Sequence, residues 1–397
     1  MKKPLVLVLI SLVSMLWPTQ AQEGAPPVLA PFASPARLNL VAEANYLTEL
    51  VRRRLDPDKQ GLRMESLDGK MVFADHHGDA AFNPASVIKI ATSFAALERF
   101  GPDYKFETTF LINGAVNAKT KTLKGDLILQ ATGDPLLTTA TLNGLIRQIA
   151  RLKISRVNGD LLIAGPFTFG SHYKTDRAAS RLAPALRKLG VRITGKTRKA
   201  AAAPQGKVVA THTSPALLDI VFDQNAHSTN STAERLGEVL GGPKAVEEFL
   251  VRRVGIAASD VRVGRTSGLD FNRITPRATV QLLRQFAFWL DRKNLRLEDV
   301  MPVAGIDPGT LRTRFRSEEF RGAVVGKTGT LPATEGGVST LAGMVYTRNY
   351  GPVLFAIFNT KGSVNTYRQL QDELLMNFIM ECGGMPGLNA SLHRSDN

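Results

Sequence analysis

Cysteine is almost absent from this chain of 397 residues, which contains only Cys382. One cysteine cannot form an intramolecular disulfide, and it cannot supply a zinc site that needs two thiolates. Aromatic residues make up only 7% of the sequence and form no surface in which they alternate with basic residues. Such a surface is what single-stranded nucleic acids stack on, so its absence argues against nucleic acid as a partner.

Acidic residues are also scarce. The chain has 35 Asp and Glu against 50 Lys and Arg, which gives a formal net charge of +15. This charge favours an anionic partner but does not distinguish a nucleic acid, a membrane or an acidic polymer. The chain is 44% hydrophobic and 21% charged, which is a globular balance and excludes a wholly disordered protein. The length predicts two or three domains.

Long apolar runs are absent except near the amino terminus, where Leu5 to Trp17 follows Lys2 and Lys3. This order is typical of a secretory signal peptide over residues 1–21, and we expect cleavage after Ala21. An uncleaved anchor is the alternative, although the apolar run is short for a bilayer. We therefore expect an exported, periplasmic protein whose mature part has no membrane span, and an anionic cell-envelope polymer as its partner.

The first part of the mature chain, residues 22–102, carries clear local signals. Apolar spacing predicts an amphipathic helix over 37–55, and two strands at 62–66 and 71–75 flank Asp68-Gly69, a hairpin signal. Asn83-Pro84 then predicts a capped helix that runs to about Phe100.

The pattern changes over residues 103–210, where short strand-like runs surround one predicted helix at 138–152. We interpret this region as an inserted mixed α/β domain that divides the catalytic domain into residues 22–102 and 211–397. The last part predicts three strands at 323–327, 338–347 and 353–359 and a closing helix at 365–380. The element order indicates an α/β sandwich whose first and last helices cover one sheet.

Three short motifs can carry chemistry. Ser86 and Lys89 lie three residues apart at the start of a predicted buried helix, so they share a face, and burial would let the lysine accept the serine proton. Ser228-Thr229-Asn230 lies in a polar stretch between two predicted helices. Lys327-Thr328-Gly329 ends a strand-like run, where glycine permits close approach of a ligand backbone.

Each motif is weak alone, and a second Ser-x-x-Lys at Ser171 to Lys174 has neither a cap nor helical spacing. In this order, however, Ser-x-x-Lys, Ser-x-Asn and Lys-Thr-Gly are the signature of serine enzymes that act on D-Ala-D-Ala or on β-lactams.

Beyond the motifs, the chain resembles the class C low-molecular-mass penicillin-binding proteins, the D-alanyl-D-alanine carboxypeptidase/endopeptidase family. The resemblance extends to segments outside the three motifs: Asn83 to Ser86, Phe100 to Tyr104, Gly125 to Leu127, Gly133 to Pro135, His212 to Pro215, Ala233-Glu234, Ser267 to Leu269, Asn272-Arg273, Thr275-Pro276 and Pro302 to Gly305. It implies a serine β-lactamase/DD-peptidase-like sandwich, with an antiparallel sheet, terminal helices and an all-helical part.

The resemblance also implies a role for each motif residue. Ser86 would form an acyl-enzyme, Lys89 would be its base, and Ser228 would relay a proton to the leaving amine. The substrate would be a peptidoglycan stem peptide, bound by four residues: Asn230, Lys327, Thr328 and Thr330. The amide of Thr330 would also form part of the oxyanion hole. No metal or organic cofactor is implied, and β-lactam antibiotics would be covalent inhibitors.

Two other functions stay open at this point. A β-lactamase would share the acylation residues, and a non-catalytic peptidoglycan-binding protein would share only the fold. Within the peptidase hypothesis, carboxypeptidase activity is the stronger expectation, because the inserted region is shorter than in the larger members of the family. If that region binds the cross-linked strand, endopeptidase activity is the weaker expectation.

Overall fold

The computed structural model describes residues 35–169, 174–200 and 204–386. The predicted signal segment and Ser171 of the second Ser-x-x-Lys lie outside the described residues. In the part of the chain that is described, no helix is both long and apolar enough to cross a bilayer.

The strands, in chain order, are β1 (Ala36–Arg37), β2 (Gln60–Ser66), β3 (Met71–His76), β4 (Lys105–Asn117), β5 (Thr122–Ala131), β6 (Arg156–Val157), β7 (Leu161–Ala164), β8 (Arg192–Ile193), β9 (Thr197–Lys199), β10 (Lys207–Ala216), β11 (Val261–Arg262), β12 (Arg273–Ile274), β13 (Val324–Leu331), β14 (Val338–Thr347) and β15 (Gly351–Thr360). The α-helices are α1 (Val41–Arg52), α2 (Lys89–Phe100), α3 (Thr139–Arg151), α4 (Thr175–Lys188), α5 (Leu217–His227), α6 (Asn230–Leu240), α7 (Pro243–Phe249), α8 (Pro276–Asp291) and α9 (Val364–Glu381).

A six-stranded sheet in the order β1-β3-β2-β15-β14-β13 forms the centre of the fold. Its strands pair antiparallel except for β1 with β3. Strand residues alternate between two cores, so that Phe355 packs with α1 and α9 whereas Phe358 packs with α2, α6 and α8. The prediction that the first and last helices cover one face of an antiparallel sheet is therefore confirmed, and a helical layer covers the other face.

The strands from β4 to β10 build a second sheet in the order β10-β4-β5-β6-β8, in which β7 also pairs with β5 and β9 pairs with β7. Helices α3 and α4 pack on it through a third core that includes Phe110, Leu127, Ile146 and Leu182. The parallel pairs of β5 with β6 and β7 make this unit mixed. The boundaries 103–210 stay a prediction; the strands that form this sheet run from Lys105 to Ala216.

One predicted helix start is wrong. Asn83 does not cap a helix that begins at Pro84: its side chain accepts from the Ala85 amide at 3.0 Å, residues Ala85–Ile88 form a 3₁₀ turn, and α2 begins only at Lys89. Ser214 lies in β10, where its hydroxyl accepts from the Phe106 amide at 2.9 Å.

Candidate active site

Ser86 is half-buried in the tight turn Ala85–Ile88, which precedes α2 and which we call the nucleophile turn. The turn is strained, since Ala85 has a φ of +46°. Two glycines allow other segments to pack against it. A Cβ on Gly268 would lie 2.0 Å from the Ala85 carbonyl oxygen, and one on Gly329 would lie 2.7 Å from that of Pro84. The sequence suggested that Gly329 permits close approach of a ligand backbone. In the structure, Gly329 instead permits close approach of the nucleophile turn.

Lys89 occupies the centre of the site with no solvent exposure. Its Nζ donates to Ser86 Oγ at 2.9 Å, to Asn230 Oδ1 at 2.7 Å and to the Ser267 carbonyl. Burial lowers the pKa of Lys89 from 10.5 to about 7, against the opposing attraction of Glu234. Near neutral pH this amine is therefore able to accept the proton of Ser86.

The Ser267 carbonyl is a site group that motif reasoning missed. It accepts from Lys89 and, at 3.4 Å, from the Ser86 hydroxyl. Glu234 holds this segment, because its Oε1 accepts from the Ser267 amide at 3.1 Å and from Arg265 at 3.2 Å. The only sequence signal was that these segments resemble the family, since a backbone carbonyl leaves no mark in residue type.

Ser228 and Asn230 join α5 to α6, as predicted for the Ser-x-Asn motif. Ser228 ends α5 in a left-handed conformation with a φ of +58°, and Asn230 is the first residue of α6. The structure brings Asn230 directly to Lys89. Among the described residues, the Ser228 side chain makes no hydrogen bond with Ser86 or Lys89.

Lys327 and Thr328 lie within β13, the edge strand of the main sheet, rather than after its end. Lys327 has no solvent exposure and its Nζ donates to the Thr328 carbonyl at 2.8 Å. Burial, and then the neighbouring Lys89, lower the pKa of Lys327 well below its ordinary value. Thr328 Oγ1 donates to Thr310 Oγ1 at 2.8 Å, so its hydroxyl is already oriented.

Thr330 lies farther along the same edge. The Gly326 amide points away from β14 to the Pro302 carbonyl at 3.2 Å. Strand alternation therefore places the amides of Thr328 and Thr330 on that outer edge as well. Thr330 Oγ1 accepts from Arg368 Nη2 at 3.0 Å, a contact that the sequence did not predict.

The single cysteine takes no part in this site. Cys382 is fully buried, and burial with the nearby Glu381 raises the pKa of its thiol to about 12. A thiol with such a pKa is a poor nucleophile. Within the described ranges, no group of three or more His, Cys, Asp or Glu side chains is placed to hold a metal ion.

Together these groups place a hydroxyl, an amine with a lowered pKa and the outward-facing amides of a strand edge side by side. This arrangement suits attack on an acyl carbon, in which the hydroxyl loses its proton to the amine and the amides stabilise the oxyanion.

Known proteins are similar to this chain in sequence and in fold. The profile of the D-Ala-D-Ala carboxypeptidase 3 (S13) family matches residues 44–177 and 164–376. The D-alanyl-D-alanine carboxypeptidase DacB of Haemophilus influenzae is 29% identical over 126 residues, which are 32% of this chain and 26% of that protein. The aligned part thus spans about a quarter of the curated relative's length.

Two solved structures show the same fold. Penicillin binding protein 4 from Haemophilus influenzae matches with a TM-score of 0.66 and 22% identity, covering 83% of this chain and 97% of that chain. A penicillin G-acylated predatory endopeptidase from Bdellovibrio bacteriovorus, in complex with an immunity protein, matches with a TM-score of 0.67 and 21% identity, covering 84% and 95%.

Proposed function

The chain belongs to the D-Ala-D-Ala carboxypeptidase 3 (S13) family, and we propose that it is a serine peptidase that removes the terminal D-alanine from peptidoglycan stem peptides. One observation carries this proposal. Lys89 Nζ lies 2.9 Å from Ser86 Oγ, and its pKa is lowered to about 7. A serine beside an amine that is half neutral at physiological pH is an activated nucleophile.

In the proposed reaction, Ser86 Oγ attacks the carbonyl carbon of the penultimate D-alanine and gives its proton to Lys89. The negative charge on the carbonyl oxygen is stabilised by the amides of Ser86 and Thr330. The carbon–nitrogen bond then breaks, Ser228 relays a proton to the leaving amine, and D-alanine departs. Water hydrolyses the ester on Ser86 and restores the hydroxyl.

Substrate binding falls to the groups around this centre. The oxygen of the Asn230 side chain accepts from Lys89, which leaves its amide hydrogens for a stem-peptide carbonyl. Thr328 binds the terminal carboxylate from the strand edge. Lys327 holds the Thr328 carbonyl, and a bound carboxylate would favour the charged form of Lys327 despite its burial.

The same mechanism predicts that β-lactams acylate Ser86, because they present a strained amide to the same nucleophile. Cleavage of cross-links is a second proposed activity, supported by the fold shared with the Bdellovibrio bacteriovorus endopeptidase. The apolar run at 5–17 supports an exported, periplasmic protein, and the net positive charge suits an anionic polymer as its partner. The lack of a surface of alternating aromatic and basic residues argues against nucleic acid.

Labelling with a fluorescent penicillin tests the nucleophile. We expect the purified protein to become covalently labelled, Ser86→Ala to lose labelling entirely, and Ser180→Ala, a change of an exposed serine on α4, to label normally. Mass spectrometry of muropeptides incubated with each protein then identifies the cleaved bond. Labelling of Ser86→Ala would refute the assigned nucleophile, and intact D-Ala-D-Ala ends after incubation with wild type would refute the peptidase.

A further inference from the structure

A cavity of about 420 Å³ opens between the end of β13 and the start of α9. Thr330 forms one wall, and the first turn of α9 with Arg368 forms the other. Gly329 packs directly on the Pro84 carbonyl and the Ala85 side chain, and Thr330 is the next residue along β13. The cavity therefore begins one residue beyond the contact between β13 and the nucleophile turn.

Arg368 is the cation of this cavity. It is exposed, and its Nη2 donates to Thr330 Oγ1 at 3.0 Å. In the described part of the chain no carboxylate forms an ion pair with it. The nearest acid on α9, Asp372, is engaged by Arg314, whose Nε donates to Asp372 Oδ1 at 2.7 Å. Partial burial and then the nearby Arg314 lower the pKa of Arg368, whereas Asp372 acts in the opposite direction.

The two lysines of the site do not supply an equivalent charge before substrate binds. Lys89 is half neutral near pH 7, and Lys327 is fully buried against a carbonyl. A guanidinium, in contrast, keeps its proton at all physiological pH values and presents several donors in one plane, which suits a carboxylate.

We propose that Arg368, together with the Thr330 hydroxyl, binds the carboxylate of the substrate at the edge of β13 and selects peptides with a free terminal carboxylate. This inference rests on the proposed function, since it names the group that recognises the end of the D-Ala-D-Ala substrate. Arg368 lines a cavity of about 420 Å³, which is large enough for that carboxylate. Arg368 is then a specificity-determining residue in addition to Lys327 and Thr328.

The test separates charge recognition from folding by using two peptides. One is an acylated Lys-D-Ala-D-Ala with a free carboxylate, and the other is the same peptide with a terminal carboxamide. Calorimetric titration in the Ser86→Ala background measures the affinity of each without turnover. We expect Arg368→Gln to weaken binding of the acid about tenfold and of the amide less than about twofold, as for loss of one charge-assisted hydrogen bond.

Two further variants complete the design. Arg368→Lys should recover part of the lost affinity, and Arg151→Gln, which removes an exposed arginine from the last turn of α3, should change neither affinity. Equal losses for both peptides, or no loss for the acid, would overturn the proposal. Failure of the proposed function is seen separately, because wild type would then neither react with fluorescent penicillin nor release D-alanine.

Discussion

The depressed pKa of Lys89 predicts how acylation depends on pH. The difference between 10.5 and about 7 corresponds to about 5 kcal/mol, which is the cost of keeping this buried amine charged. With a pKa of about 7, roughly half of the molecules carry a neutral Lys89 at pH 7 and about 1% at pH 5. With an ordinary pKa, only about one molecule in 3,000 would carry it at pH 7.

The sign follows from the role of Lys89 as a base. Only the neutral amine can accept the Ser86 proton, so the acylation rate should rise with pH and level off once Lys89 is deprotonated. We expect the rate to increase about tenfold per pH unit below about 6 and to reach a plateau above about 8.

The assay is the second-order rate constant for labelling by a fluorescent penicillin, measured between pH 5 and 9. Thermal unfolding at each pH shows whether the protein stays folded across the range, and Ser86→Ala supplies the blank. A rate that keeps rising tenfold per unit through pH 9 would mean that burial does not lower the pKa of Lys89. A rate that is independent of pH would mean that Lys89 is not the base.

Two further substitutions act on the same centre. Glu234→Gln removes the charge that favours the protonated form of Lys89, so the pKa of Lys89 should fall further and labelling at pH 6 should become faster, while labelling at pH 9 stays the same. Gly329→Ala forces a Cβ to within 2.1 Å of Thr340 Oγ1 and 2.7 Å of the Pro84 carbonyl. It should separate β13 from the nucleophile turn, slow labelling at least about tenfold and lower the free energy of unfolding by about 1–3 kcal/mol.

Each of these substitutions has a matched control. Glu247 also accepts from a backbone amide, that of Val263 at 2.7 Å, but it does not influence Lys89, so Glu247→Gln should leave the pH profile unchanged. Gly144 lies within α3 with open space around it, and Gly144→Ala should label normally and be at least as stable as wild type. A slower rate at pH 6 in Glu234→Gln, or normal labelling of Gly329→Ala, would contradict the reasoning.

Local patterns in the sequence predicted the framework of the fold well. The hairpin around Asp68-Gly69, helix α1, the three last strands and helix α9 carry apolar patterns that are visible locally, and they form close to the expected positions. The Ser-x-Asn and Lys-Thr-Gly motifs also lie in their predicted contexts of helix junction and strand edge, whereas Ser86 precedes α2 in a 3₁₀ turn. That the three motifs form one site was implied by the resemblance to the family.

Tertiary contacts account for what the sequence did not predict. The Ser267 carbonyl acts through its backbone, so no residue type marks it. The contact of Arg368 with Thr330 joins α9 to β13 across an interval of 38 residues, and no local period encodes it. The start of α2 was misplaced because Asn83 bonds the amide two residues on, a local turn that competes with a helix cap.

The burial that lets Lys89 act as a base also limits the positive charge that the two lysines of the site can carry. Burial lowers the pKa of both Lys89 and Lys327, and the neighbouring Lys89 lowers that of Lys327 further. Recognition of a carboxylate in this site is therefore favoured by a cation that keeps its proton despite burial. Arg368, at the exposed edge, is such a cation. If Arg368→Gln left binding of the acid peptide intact, Lys327 would have to take up a proton as the carboxylate binds. Binding would then be accompanied by proton uptake near neutral pH, and calorimetry in buffers of different ionisation enthalpy would detect it.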